Sequence, residues 1–435
     1  MTTSSTPMAP ISARPQPRTT PLIVFHNAVF CRLWTSQFLA TVSMTMTLLA
    51  TSILIFRSTG TVASVGLVLL TALLPSVLFG LFAGVVADRG NRKRILVASE
   101  LTRAVMMLAL PWLIHVDPRL AFVVLAAANS VRQFFDPAHA SLIPETVDAD
   151  RLAAANSMLS ISLFGAEMFG LAVAGAMAAA FPLDWIFYLN GVLFFISAAI
   201  LLPVRLPART TTPAPTAQPT FVLLREGITS VQRTPALRNF AVVYIPFALA
   251  VGLLNAVDLP FVMGVTAGSG YAGELMFGVL EAVGLVAFVT GSYLMAYGAP
   301  RLREGQWIAY SFIGTGIGTM LYAQAGHIGW LFACNVIYYM TNAAFHVGRL
   351  LLLQRTTPQG MLGRVSSAFF LQRDVCYIAG VSLAVLGDLF ALTTVITGIG
   401  VTIALAGLVA WRLPGLGQPV VRMQVDGRVG EDLRL

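Results

Sequence analysis

The chain has 435 residues, 57% of them apolar and only 11% charged, and its mean hydropathy is +0.79. Soluble domains carry roughly 25% charged residues and could not cover their surface with so few. The composition argues against a soluble enzyme, a disordered chain and a nucleic-acid binder, and points to a polytopic membrane protein. The net charge of +8 comes from 27 basic residues in short clusters between apolar runs, which suits membrane topology better than nucleic-acid contact. Cys31, Cys334 and Cys376 lie far apart and match no zinc or CxxC spacing, so neither a metal nor a disulfide framework is expected.

Residues 1–30 read as a cytoplasmic tail, rich in Thr, Ser, Pro and Arg at first and without a secretory cleavage signal. Twelve apolar runs of about 20 residues or more follow, at 33–56, 62–87, 94–115, 120–143, 154–181, 184–204, 238–264, 270–298, 306–325, 328–355, 364–389 and 391–412. Barrel strands are ~10 residues long with alternating polarity, so these runs are helices. Outside the spans or at their ends, 21 Lys and Arg side chains lie on the face of the tails and two, Arg57 and Arg119, on the opposite face. Arg103, Arg132, Arg349 and Arg373 fall inside spans. The asymmetry predicts that both termini are cytoplasmic.

The longest loop, 205–237, begins Pro- and Thr-rich and turns amphipathic near Phe221–Arg233. It divides the chain into an N-terminal half (31–204) and a C-terminal half (238–412), with a cytoplasmic tail at 413–435. The expected fold is an all-α polytopic membrane protein with 12 transmembrane helices in two pseudo-symmetric six-helix bundles. Transporters of this plan hold their site near the midplane, between the halves.

The second loop reads Gly84-Val-Val-Ala-Asp88-Arg89-Gly90-Asn91-Arg92-Lys93-Arg94. It resembles the signature of the major facilitator superfamily between helices 2 and 3, Gly-x3-Asp-Arg-x-Gly-Arg-Arg/Lys. Asn91 replaces a usual Gly, and Asn tolerates a left-handed backbone better than most residues. The resemblance runs from about Phe30 to Leu413 and is greatest to the bacterial efflux branch of enterobactin, macrolide and multidrug exporters. Three passages carry that branch: Phe135-Asp136-Pro137-Ala138 to Pro144-Glu145, Leu224-Arg225-Glu226-Gly227, and Thr357-Pro358 to Met361-Leu362-Gly363-Arg364. It implies a conformational latch of Gly84, Asp88, Arg89, Arg92 and Lys93, with Glu100, Arg103 and Asp136 in the surrounding network. Two departures stand out. The fifth span keeps the small residues of an antiporter pattern (Gly165, Gly170, Ala174, Gly175) but lacks its proline, and the first span has no acid, only Gln37, Ser43 and several threonines.

Ionisable side chains at mid-membrane cost roughly 2.5–3.5 kcal/mol each, so each is a candidate for function. Arg132 in the fourth span and Glu167 in the fifth lie at one depth and are expected to pair, as a protonatable switch or as a static bridge. Glu281 is the second candidate proton carrier. Glu274 and Asp258, nearer the outer face, read as rim residues of the mouth. His346 and Arg349 share the tenth span, where the histidine could relay protons or simply be hydrogen-bonded. Arg373 and Asp374 are consecutive, point about 100° apart and are expected not to pair with each other; Asp374 is a further proton candidate. Gln37, Phe135, Phe164, Met168, Tyr244, Phe247, Tyr338, Tyr339 and Asn342, with Asp258, are the expected lining of an adaptable substrate cavity.

The function expected is secondary transport across the inner membrane, exporting a small amphipathic drug, antibiotic or siderophore by proton antiport and alternating access. The alternative is an uptake symporter or an uncoupled facilitator for a polar nutrient. The chain shows no P-loop, no His-x4-Asp motif and no metal-ligand cluster, so neither an ATP-driven pump nor a membrane enzyme is expected. The expected partners are the substrate, protons and the lipid bilayer, with no cofactor and no nucleic acid, and the protein is expected to be a monomer.

Overall fold

The computed structural model describes residues 21–148, 151–204, 220–298, 303–357 and 361–417. Twelve long helices cross the molecule alternately: α1 (Ala28–Thr59), α2 (Val62–Arg89), α3 (Arg92–Val116), α4 (Leu120–Thr146), α5 (Leu152–Ala180), α6 (Asp184–Leu201), α7 (Pro235–Thr266), α8 (Gly273–Gly298), α9 (Glu304–Ala323), α10 (Ile328–Thr356), α11 (Leu362–Ser382) and α12 (Leu392–Arg412). A linker helix, Thr220–Arg233, precedes α7, and a four-residue helix, Leu386–Leu389, precedes α12. The described residues contain no strand. Among the described residues, nine of the twelve long helices are long and apolar enough to cross a membrane by length and composition alone. The other three are α4, α9 and α10, and two of them carry mid-span charge: α4 has Arg132 and Asp136, α10 has Arg349. The face where α1 begins and α12 ends is called the tail face below.

Several boundaries move from their expected places. Residues 21–30, read as tail, are folded: Pro21–His26 is a 3-10 turn, Val24 is buried, and Phe25 meets Phe30 and Trp34 edge-on. Part of the expected interdomain loop is the linker helix, and α7 already starts at Pro235, where proline at the first helical turn costs nothing. The single run expected at 364–389 is a helix to Ser382, a 3-10 turn and the short helix. At the other end, Leu416 is buried in the turn after α12. Residues 1–20, 205–219 and 418–435 lie outside the described residues.

Side-chain caps explain two of the helix starts. Asn27 Oδ1 accepts from the amides of Val29 (2.9 Å) and Phe30 (3.2 Å), while its Nδ2 donates to the Thr146 carbonyl at the end of α4 (2.5 Å). Asn91 caps α3 by accepting from the Arg94 amide at 3.1 Å. Its φ is −78°, so the left-handed reading of this position is wrong. Asn stands there because a helix start needs an acceptor, not because the turn needs positive φ. Asn91→Ala is expected to lower stability by about 1 kcal/mol and Asn91→Gly by only a few tenths. Thermal unfolding of the purified protein in detergent would check the order, and equal losses would refute the capping role.

α1–α6 pack on one another, as do α7–α12, and the two groups meet along α5 with α8 and along α2 with α7 and α11. Small residues make the approaches close. A methyl group on Gly175 would fall 2.3 Å from the Glu274 carbonyl oxygen and 2.9 Å from Gly278 Cα. One on Gly66 of α2 would fall 2.4 Å from Ala384 Cβ. Backbones that touch at glycine gain dispersion contact without apolar driving force, as suits helices in lipid. The linker helix docks on the start of α11, with Gly227 against the Arg364 carbonyl and Glu226 paired with the Arg364 side chain. Two of the passages that carry the sequence resemblance therefore touch.

Candidate functional site

The contacts between the two groups concentrate at the face opposite the tails. Arg57, near the end of α1, donates from Nε (3.0 Å) and Nη2 (2.6 Å) to Glu274 Oε1 in the first turn of α8. Asp388, from the short helix before α12, accepts the Val62 amide at 2.6 Å and the Ala63 amide at 2.9 Å. A helix start has unpaired N–H groups and a positive dipole end, and here a carboxylate of the other group satisfies both. Glu274 is 6% exposed at its side chain, so it is no solvated rim residue: it is the buried half of a bridge that closes this face.

Beneath that closure lies a cavity of about 200 Å³. α1, α2 and α5 supply one wall, α7, α8, α9, α10 and α11 the other. Three carboxylates line it: Glu167, Asp258 and Glu281. Tyr339 donates to Glu281 Oε2 at 2.7 Å and Tyr322 to Asp258 Oδ1 at 2.6 Å. The Tyr339 ring fills a notch at Gly284, one turn from Glu281, where a methyl group would fall 2.3 Å from its Cε2. That notch lets the phenol reach the carboxylate. Tyr338 stands edge-to-face to Tyr339, with ring centres 5.2 Å apart, and hydrogen-bonds Asn342. Asn335 holds its amide to the Leu280 carbonyl at 2.7 Å, tying α10 to α8 beside Glu281. Among the described residues no Lys, Arg or His lines the cavity, and Asp258 and Glu167 share it with Glu281.

The expected pairing of Arg132 with Glu167 is not what forms. Arg132 Nε donates to Asp136 one helical turn away, at 3.2 Å, although its charge also reaches Glu167. An i,i+4 partner on the same helix needs no second helix in register, and it wins. Glu167 is left open to the cavity. Arg373 and Asp374, expected not to meet, do pair, with Nη2 to Oδ1 at 2.8 Å. The long guanidinium arm folds back over the 100° between them, which a point-charge picture of the helix face misses.

The other expected residues separate by depth. Phe135 is core: Arg103 lies between the rings of Phe135 (4.9 Å) and Phe194 (4.6 Å), paired with Glu100 and 1% exposed. Tyr244 and Phe247 are also core, stacked on Phe240 and Phe312 respectively and tilted against Phe345, and the Phe247–Phe312 centroids lie 4.2 Å apart. They share a stripe of α7 with Leu254 and Asp258 but lie about two to four turns nearer the tail face. Gln37 and Asn342 are buried and Met168 half-buried, and none of the three lines the cavity. His346 lies outside it too, edge-on to Phe164 (6.3 Å), Phe288 (5.5 Å) and Phe345 (5.1 Å). Arg349 Nε is buried with no hydrogen-bond partner among the described residues, and its guanidinium lies near Phe345 and Phe370. Of the latch residues, Arg92 pairs with Glu145, and Lys93 donates to the Leu202 carbonyl at 2.5 Å, capping the end of α6. The side chains at positions 84, 88 and 89 lie outside the described residues.

Sequence reasoning missed Asn255, Tyr322, Asn335, Tyr377 and the Gly284 notch. Tyr322 belongs to α9, none of whose residues was among the expected lining. Towards the tail face, Arg132, Asp136, Arg373 and Asp374 are a third to a half exposed. Charges so exposed inside spans call for contact with water.

Two helical groups meet around a shared cavity that is bridged over at the face opposite the tails. The chain matches the family model of the Major Facilitator Superfamily over residues 33–381 and belongs to that family, so it is a membrane transporter. The MFS-type transporter YfiS of Bacillus subtilis (strain 168), described as uncharacterised, is 28% identical over 334 residues, 73% of this chain and 76% of the relative. The fold is similar to that of the nucleoside transporter NupG (TM-score 0.69, 14% identity, 89% of this chain and 100% of that one). It is similar also to a bacterial homologue of the human lysosomal transporter Spinster in its inward-facing, unoccupied conformation (0.64, 16%, 88% and 94%). The POT family transporter PepTSo gives 0.67 and 12% identity over 88% and 97%. At these identities the solved structures speak to the fold alone.

Proposed function

We propose that this transporter exports small amphipathic molecules across the inner membrane in exchange for protons, with the tail face in the cytoplasm. The excess of basic residues on that face supports the orientation, and the likeness of the three quoted passages to efflux proteins supports the direction. The observation that carries the exchange is the cavity itself: three carboxylates between the two groups and no basic side chain in the lining. Carboxylates that share so small a space are relieved by a proton or by a bound cation, so one can displace the other. Substrate enters from the cytoplasm past the half-exposed charges of Arg132, Asp136, Arg373 and Asp374. Occupancy of the cavity frees protons, and rocking about α5/α8 and α2/α11 would break the Arg57–Glu274 bridge and the Asp388 cap. Protons entering from the outer side reset the carrier. The cluster Asp88, Arg89, Arg92 and Lys93, with Glu100, Arg103 and Asp136 behind it, latches the tail face in the other state.

Proteoliposomes test this. Substrate moving down its gradient is expected to drive protons the opposite way, read by an entrapped pH dye. Proton flow in the same direction as substrate would replace export by symport, and substrate movement without proton flow would reduce the protein to a facilitator.

A further inference from the structure

We infer that the cavity selects organic cations, small amines or quaternary ammonium compounds carrying an apolar body, and rejects the anionic catecholates that the likeness to siderophore exporters brings into view. This rests on the transport reading above and adds the chemistry of the cargo.

Two independent features of the cavity point the same way. The first is charge. Each of Glu281 and Asp258 accepts one phenolic hydrogen bond, which leaves its second oxygen without a donor among the described residues. Glu281 is 6% exposed, so that oxygen faces the cavity and not bulk water. Glu167, on the other group, completes a negative lining. An anionic ligand would meet repulsion from both walls, strongest beside the buried Glu281, where charge interactions are several-fold stronger than in water.

The second feature is the wall. Phe277, Tyr322, Tyr338, Tyr339 and Tyr377 come from four different helices of the C-terminal group and surround the acidic oxygens. Aromatic faces carry negative quadrupole charge and attract ammonium groups, and cages of such rings are how proteins recognise quaternary ammonium. Tyr322 and Tyr339 have their hydroxyls turned to carboxylates, so they offer rings rather than donors to an occupant. The apolar side of the lining, with Leu48, Leu49, Val65 and Leu171, accommodates the ligand's body. Size narrows the class further. About 200 Å³ lies below the roughly 300–1,000 Å³ of pockets for drug-sized ligands, which favours a small aryl- or alkylammonium over a macrolide.

The experiment uses the purified full chain in detergent and two probes of equal shape, the permanent cation phenyltrimethylammonium and its neutral isostere tert-butylbenzene, with 2,3-dihydroxybenzoate as the anion. Saturable binding, followed by quenching of intrinsic fluorescence, is expected for the cation, and binding about tenfold or more weaker for the isostere and the anion. Glu281→Gln is expected to remove the preference for cation over isostere, and Tyr338→Leu to weaken the cation about tenfold while leaving the isostere within about twofold. Equal binding of cation and isostere by the wild type, absence of cation binding, or preference for the anion would each overturn the inference. The wild-type comparison of isosteres needs no variant to fold. The two readings also fail separately. Proton exchange driven by a neutral or anionic substrate would refute cation selection and leave antiport standing, whereas cation binding without proton exchange would do the reverse.

Discussion

Glu281→Gln is expected to abolish substrate-driven proton movement in proteoliposomes, by about a hundredfold or more, while the protein still inserts and elutes as one species. The substitution keeps shape and keeps an oxygen for the Tyr339 hydroxyl at 2.7 Å, so packing against Gly284 is undisturbed. What it removes is the one function Gln cannot perform, the gain and loss of a proton. Glu281 is favoured over Glu167 for this role because it is buried and held by the Tyr339 hydroxyl, whereas Glu167 is exposed. Glu167→Gln is accordingly expected to weaken exchange by about tenfold without eliminating it. Tyr339→Phe separates positioning from proton carriage. The carboxylate survives but loses its donor, so the pH profile of exchange should shift while maximal exchange persists. A Glu281→Gln protein that still exchanges protons at the wild-type rate would remove Glu281 from the mechanism, and the same result with Glu167→Gln inactive would exchange their roles.

How far the sequence disclosed all this depends on the kind of information asked of it. Hydropathy, basic-residue counting and the second-loop motif carry the twelve helices, because span length and the cost of bare backbone in lipid are properties of local composition. Helix face was legible as well: Tyr244, Phe247 and Asp258 do share one stripe of α7. Depth was not. Whether a stripe opens to a cavity or is roofed by Phe312 and Phe345 depends on how far neighbouring helices separate at that level, and periodicity contains no such term. Ionic partners were not legible even where a helix supplies its own: Arg132 pairs with Asp136 and Arg373 with Asp374, both against expectation. Arg57 and Glu274 are 217 residues apart in the chain, and nothing local marks them as neighbours. The same holds for Asp388, whose role as a cap for α2 exists only because the second group of helices brings it there.

That bridge sets the other large expectation. Glu274→Gln is expected to raise the rate at which the cavity becomes accessible from the face opposite the tails. Arg57 is 47% exposed at its side chain and Glu274 6%. Breaking a fully buried pair costs roughly 3–5 kcal/mol, and an exposed pair is worth roughly 0–1. A half-exposed bridge therefore holds the closure by about 1–2 kcal/mol, a factor of roughly 5–30 in the balance of closed and open states. A cysteine at Ser52, which lines the cavity beneath the bridge, reports the opening when Cys31, Cys334 and Cys376 are replaced by serine. A membrane-impermeant thiol reagent applied from that face should label it about 5–30 times faster in Glu274→Gln than in the parent. The exchanged pair, Arg57→Glu with Glu274→Arg, should restore most of the slow labelling, because it rebuilds the attraction with the charges reversed. Closure also rests on the Asp388 cap and on the contact of Gly175 with Gly278, neither of which the substitution touches, so labelling should rise without becoming unrestricted. If the exchanged pair labels as fast as Glu274→Gln, attraction between these two side chains is not what holds the face closed, and the burden falls on the glycine contact. Gly278→Val would then be the substitution that opens it, since its side chain would meet the Leu171 carbonyl at about 2.9 Å.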